Sequence, residues 1–197
     1  MDTRQKYNEA EYFLEMMKEN IEDRQKFKYN LSAFLSAARS VTFVLQEEYS
    51  KNRDFDEWYC KKQIKMKRDE LLKFFNKKRI NVIHKKGSID TQAEIKETIN
   101  FEGFGSVSVE AIVRNSEGTI KDYEYSEPPV KSKIAPKQDN IANTEYKWVF
   151  RNCPEEFIGV DVITLSEKCL KELKIIVDEA ESILGEAKVS QKQLPDK

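Results

Sequence analysis

A chain of 197 residues and 23.1 kDa can bury one substantial core and carry an insertion. Its 39% hydrophobic and 35% charged residues exclude wholesale disorder. No run of eighteen apolar residues is present to span a membrane, and the start of the chain lacks a secretory layout, so the expected compartment is the cytoplasm.

The net charge of -1 hides an asymmetry. Residues 1–59 hold 9 basic and 12 acidic side chains, residues 60–86 hold 11 and 2, and residues 87–197 hold 14 and 21. A local excess of that size on one element can attract a polyanion, although a solvated lysine face is the plainer reading. Cys60, Cys153 and Cys169 are widely spaced and form no CxxC, which argues for reduced, structural thiols rather than a disulfide framework or a zinc ribbon.

Taken in order, Tyr7, Ala10, Phe13, Leu14 and Met17 are spaced as one face of an amphipathic helix over residues 3–19. Asn20 and Asp23 can open a second helix, with the chain either bending there or running through. Leu31, Phe34, Leu35, Ala38, Val41, Leu45 and Tyr49 continue the spacing with small residues between them, marking the most buried helix and offering no sign of a cofactor pocket. Asp54 and Glu57 resemble a capping box for a third helix, and Asp69 can cap a short separate one through LLKFFNKKR.

After Gly87 the period changes to that of strands, at 93–101, 107–113, 120–125 and 146–151, with a turn at 115–118 and a mobile, proline-bearing loop at 127–143. Thr164 and Glu167 have capping-box spacing for a last helix that Gly185 would end, and residues 188–197 read as a frayed tail. The expected fold is α+β and mainly α. A discontinuous helical bundle of residues 1–86 and 157–187 is interrupted at 88–156 by a small antiparallel β-sheet that leans on the bundle or on a second subunit.

The single histidine, His84, follows Arg79 with four residues between them, at the end of the most basic segment. Arg offers a permanently charged fork for phosphate oxygens, and His alone titrates near neutrality without tuning. The segment Phe75-Asn-Lys-Lys-Arg79-Ile-Asn-Val-Ile-His84, at the end of a helix in a bundle, resembles the Rx4-6H signature of the HEPN superfamily over residues 1–86 and 164–185.

That resemblance implies a metal-independent endoribonuclease of a toxin or defence type. Arg79 would stabilise the charged phosphate and His84 would move the proton, in a composite site that makes the chain a homodimer, and a protein partner such as an antitoxin is conceivable on the same ground. Ile80 departs from the pattern, which usually has a polar residue there, and Asn81 would have to replace it. Lys73, Lys77, Lys78, Lys85 and Lys86 would hold the RNA backbone.

The alternative within the same resemblance is a non-catalytic interaction or scaffold protein, and a further one is a plain phosphate or nucleotide binder using the same cations. Without the resemblance, Arg79 and His84 are cations favouring the negative end of a helix. No cofactor or metal is expected: the GxG at Gly103–Gly105 lacks a following helix, and no acidic or histidine set has metal-ligand spacing.

Overall fold

Each apolar stripe finds its partner in the computed structural model, which describes residues 2–82, 89–101, 105–113 and 141–191. Helix α1 (Asp2–Glu19) buries Tyr7, Ala10, Leu14 and Met17 against Phe27, Leu31, Phe34 and Leu35 of α2 (Arg24–Tyr49). The chain bends between them. The Asn20 side chain donates to the Met16 carbonyl at 2.8 Å, closing α1, and Asp23 accepts from the amides of Gln25 and Lys26 at 3.0 and 2.9 Å, opening α2.

The two helices run antiparallel, so the start of α1 meets the end of α2. There the Glu48 carboxylate accepts from the Thr3 amide at 2.9 Å and from its hydroxyl at 2.6 Å, satisfying donors at the positive end of α1. Burial alone would raise the Glu48 carboxyl, but the bonds from Thr3 bring it below its ordinary value. A group with a depressed folded pKa contributes stability above its unfolded value and loses it as pH falls through the folded one. Glu48→Gln should therefore cost about 1–2 kcal/mol at pH 7. In thermal unfolding from pH 7 to pH 3, the gap to the native protein should close in the acid range.

Helix α3 (Arg53–Arg68) extends through the polar stretch KKQIKMKR, which points mostly to solvent, while Phe55 and Tyr59 join Leu45, Tyr49, Ile176 and Ala180 in a second apolar cluster. The helix breaks at Asp69, whose side chain accepts from the Leu72 amide at 2.9 Å and starts the short, separate α4 (Glu70–Asn81), as the sequence implies.

The sheet follows. Strands β1 (Thr91–Phe101), β2 (Gly105–Val113) and β3 (Ile141–Phe150) are antiparallel in the order β2-β1-β3, with Ala93 opposite both Val113 and Trp148. β3 begins at Ile141, inside the stretch expected to be loop. The expected turn at 115–118 and strand at 120–125 lie outside the described residues. The sheet leans on the bundle: the Trp148 ring stacks on Phe27 at 4.5 Å, and its Nε1 donates to the Ile21 carbonyl at 2.8 Å.

Helix α5 (Val162–Gln191) starts two residues before Thr164 and continues past Gly185 into the stretch expected to fray. Its opening is set by Asp161 instead of a Thr164–Glu167 box. One carboxylate oxygen accepts from the Trp148 amide at 3.1 Å and the other from the Thr164 amide at 3.3 Å, which ties α5 to β3. Burial pushes the Asp161 carboxyl up, against the pull of those amides. Downstream, Glu181 accepts from Arg4 Nε at 3.0 Å, and Glu179 accepts from Trp58 Nε1 at 3.1 Å and Lys62 Nζ at 2.8 Å, so α5 is held to both α1 and α3.

The class is thus α+β and mainly α, with five helices and a three-stranded antiparallel sheet among the described residues. The sheet lies between α4 and α5, and Ile89, Ala93, Ile95, Trp148 and Phe150 share one core with the helices. No helix among the described residues is long and apolar enough to cross a membrane.

Candidate ligand-binding site

Helix α4 carries most of the side chains singled out in the sequence, and its rotation divides them. Lys73 and Lys77 are exposed, and together with Lys78 and Asn81 they border an open groove of about 590 Å³ that also carries Glu70 and Asp90. Lys73 pairs with Glu70, and Asp90 accepts from the Asn152 amide. Lys78 is only 7% exposed, with its ammonium 5.2 Å from the centre of the Phe74 ring and 5.0 Å from that of Phe150. Arg79 follows Phe75 and Asn76 by four and three residues, on the side turned to α2, and its Nε is buried with no hydrogen-bond partner. His84, Lys85 and Lys86 lie outside the described residues.

On that α2-facing side lies a cavity of about 210 Å³, many times the roughly 10–15 Å³ that a single water needs. Helices α2, α3, α4 and α5 line it, and it opens to solvent on one side. Leu35, Ala38, Leu72, Phe75 and Leu173 supply apolar walls, and Arg39, Thr42, Gln46, Tyr59, Gln63, Lys67, Lys73 and Asn76 supply the polar groups. Spacing explains the convergence: Leu35, Ala38, Arg39 and Thr42 recur on one side of α2, Tyr59 and Gln63 are one turn apart on α3, and Cys169 and Leu173 are one turn apart on α5. Burial pushes the Cys169 thiol up to about 12, so it is an inert wall group.

Three of the polar groups are held by their neighbours. Arg39 Nη1 donates to the Thr42 hydroxyl at 2.6 Å, and the guanidinium lies 4.1 Å from the centre of the Phe43 ring. The Tyr59 hydroxyl donates to the Thr42 carbonyl at 3.1 Å. Burial holds the Arg39 pKa below its ordinary value; the Tyr59 charge works against that and the charge of Arg79 adds to it.

Two atoms of cavity-lining side chains are left over: Arg39 Nε and Asn76 Oδ1 are buried without a hydrogen-bond partner. Among the described residues no group of three His, Cys, Asp or Glu side chains could hold a metal ion. Sequence reasoning passed over this site because Arg39, Thr42 and Tyr59 sit in stretches read as core. The one available signal was a lone arginine inside the small-residue run LSAFLSAARS.

A family model described as bacteriophage lambda protein ea47 matches residues 2–193. Protein ea47 of Escherichia phage lambda is 27% identical over 130 residues, covering 64% of this chain and 31% of that protein, so the chain spans about a third of the length of the curated relative it matches. No solved structure matches.

These matches overturn the HEPN resemblance. RNA binding, metal-independent ribonuclease activity, a toxin-antitoxin or defence role, and the alternative of an inactive HEPN-like scaffold are corrected with it. A homodimer with a composite site and an antitoxin partner were drawn from that resemblance and lose their ground. The resemblance rested on one arginine and one histidine at a short spacing, a pattern that many unrelated helix ends supply, and Ile80 already departed from it. The fold also turns Arg79 toward α2, whereas Lys77 and Lys78 border the groove on another side of α4.

Proposed function

We propose, for a chain that belongs to the bacteriophage lambda protein ea47 family, that the helical bundle is a small-molecule-binding domain whose ligand sits between α2, α3, α4 and α5. The observation that carries this reading is the pair of orphaned polar atoms, Arg39 Nε and Asn76 Oδ1, beside a largely apolar cavity. A buried polar group without a partner costs about 1–3 kcal/mol. A ligand that accepts from Arg39 and donates to Asn76, with its apolar body against Leu72 and Leu173, removes that cost and fills the space. Few convergent polar groups on apolar walls are the usual make-up of a ligand site.

The same reading keeps the domain in the cytoplasm, where its three free cysteines stay reduced. It assigns no chemistry to the cavity. Binding is the role, and the inert Cys169 thiol in the wall accords with that.

The test is an NMR titration with phenol, benzoate and phenyl phosphate. Shifts should cluster on the turns around Arg39, Tyr59 and Asn76. Gln63→Trp, which places an indole in the cavity from α3, should abolish them while the helical circular dichroism is kept. Shifts that persist in that variant, or that cluster on another face, would refute the cavity as the site.

A further inference from the structure

We propose that Arg39 of α2 and Arg79 of α4 together hold the anionic head of the cavity's ligand, a carboxylate or phosphate oxyanion on a small apolar body. This rests on the reading of the cavity above and names the class of molecule it takes.

The two guanidiniums come from different helices. Arg79 follows Asn76 by three residues, just beyond the cavity's wall on the same side of α4, and it is close enough to Arg39 for its charge to be felt there. Each has a buried Nε with no partner. Neither has a carboxylate within ion-pair distance among the described residues, whereas Arg4 pairs with Asp178 and Glu181, and Arg151 with Asp90. Among the described residues, rich as they are in acidic side chains, this pair has no counter-charge.

Two like charges near enough to feel each other, partly withdrawn from water, are unfavourable unless something neutralises them. Among the described residues the cavity's own walls contain no Asp or Glu, and they add Lys67 and Lys73 to Arg39. The charged groups of the lining, among the described residues, are therefore all cations, and of these Lys73 has an acidic partner, Glu70. An oxyanion meets this need directly. It accepts from both Nε groups at once in charge-assisted bonds, and the surrounding positive field draws it in.

Arg39 is also oriented in advance. The Phe43 ring on one face and the Thr42 hydroxyl at Nη1 hold its plane, so little side-chain freedom is lost on binding. The apolar part of the ligand then lies along Leu72, Phe75 and Leu173, which carry no polar group to compete for the head.

Calorimetric titration of the whole chain with phenol, benzoate and phenyl phosphate separates the parts of this inference. At least one of the two anions should bind roughly tenfold or more tightly than phenol, and which of them does so tells a carboxylate site from a phosphate site. Arg79→Met should erase that preference while phenol binding and the helical signal stay as they were, and Arg79→Lys should restore part of it. Equal affinities for all three compounds, or a preference untouched in Arg79→Met, would overturn the arginine pair and leave the cavity as a neutral site. Failure of all three to bind would overturn the cavity reading as well.

Discussion

Trp148→Ala should cost about 3–5 kcal/mol of stability, the largest effect of any single substitution considered. Trp148 is fully buried and stacks on Phe27 at 4.5 Å with 10° between the planes. Its Nε1 is bonded to the Ile21 carbonyl in the turn between α1 and α2, and its backbone amide is bonded to Asp161 at the start of α5. One side chain thus joins the sheet to the turn that aligns the first two helices, and its removal opens a cavity as well as freeing a carbonyl. Trp148→Phe keeps part of the ring contact and loses the hydrogen bond and some packed volume, so a smaller cost of about 1–3 kcal/mol is expected. Urea unfolding at 25 °C measures both. A loss below 1 kcal/mol for the alanine variant would mean that the sheet does not anchor the bundle.

Asn76→Leu should move stability the other way, raising that of the ligand-free protein by about 1–2 kcal/mol while abolishing binding in the cavity. Asn76 Oδ1 is buried without a partner, and a leucine there exchanges that unfavourable atom for apolar volume beside Leu72, Phe75 and Leu173. A residue that weakens the empty fold and is needed by the filled one is the signature of a site kept for function. Thermal unfolding of the ligand-free protein and titration with phenol, whose hydroxyl can donate to Oδ1, read the two effects separately. A less stable variant that still binds would mean that Asn76 serves packing only.

Much of the fold is legible in the sequence because it is local. The stripes of α1 and α2, the Asp69 cap and the alternation of β1 and β2 depend on residues within a turn or a strand of one another, and the polar stretch after Cys60 faces solvent as its composition implies. Features set by distant partners are not legible. α5 begins at Val162 because Asp161 is engaged by β3 as well as by its own helix, so a local capping box at Thr164 is not what starts it. β3 reaches back to Ile141 because β1 is long enough to pair with it there.

The site is less legible than the fold for the same reason. The charge count marks residues 60–86 as basic but does not record which way α4 turns. That rotation buries Lys78 against Phe74 and Phe150, leaves Lys73 and Lys77 at an open groove, and sets Arg79 toward α2. The meeting of Arg39 with Asn76 depends on how four helices pack, and no local spacing encodes it.

The most direct measurement is a crystal structure of the chain grown with phenyl phosphate. The account predicts the phenyl ring between Leu72 and Leu173, with a phosphate oxygen about 2.7–3.2 Å from Arg39 Nε. An empty cavity, with the compound bound elsewhere or not at all, would contradict it.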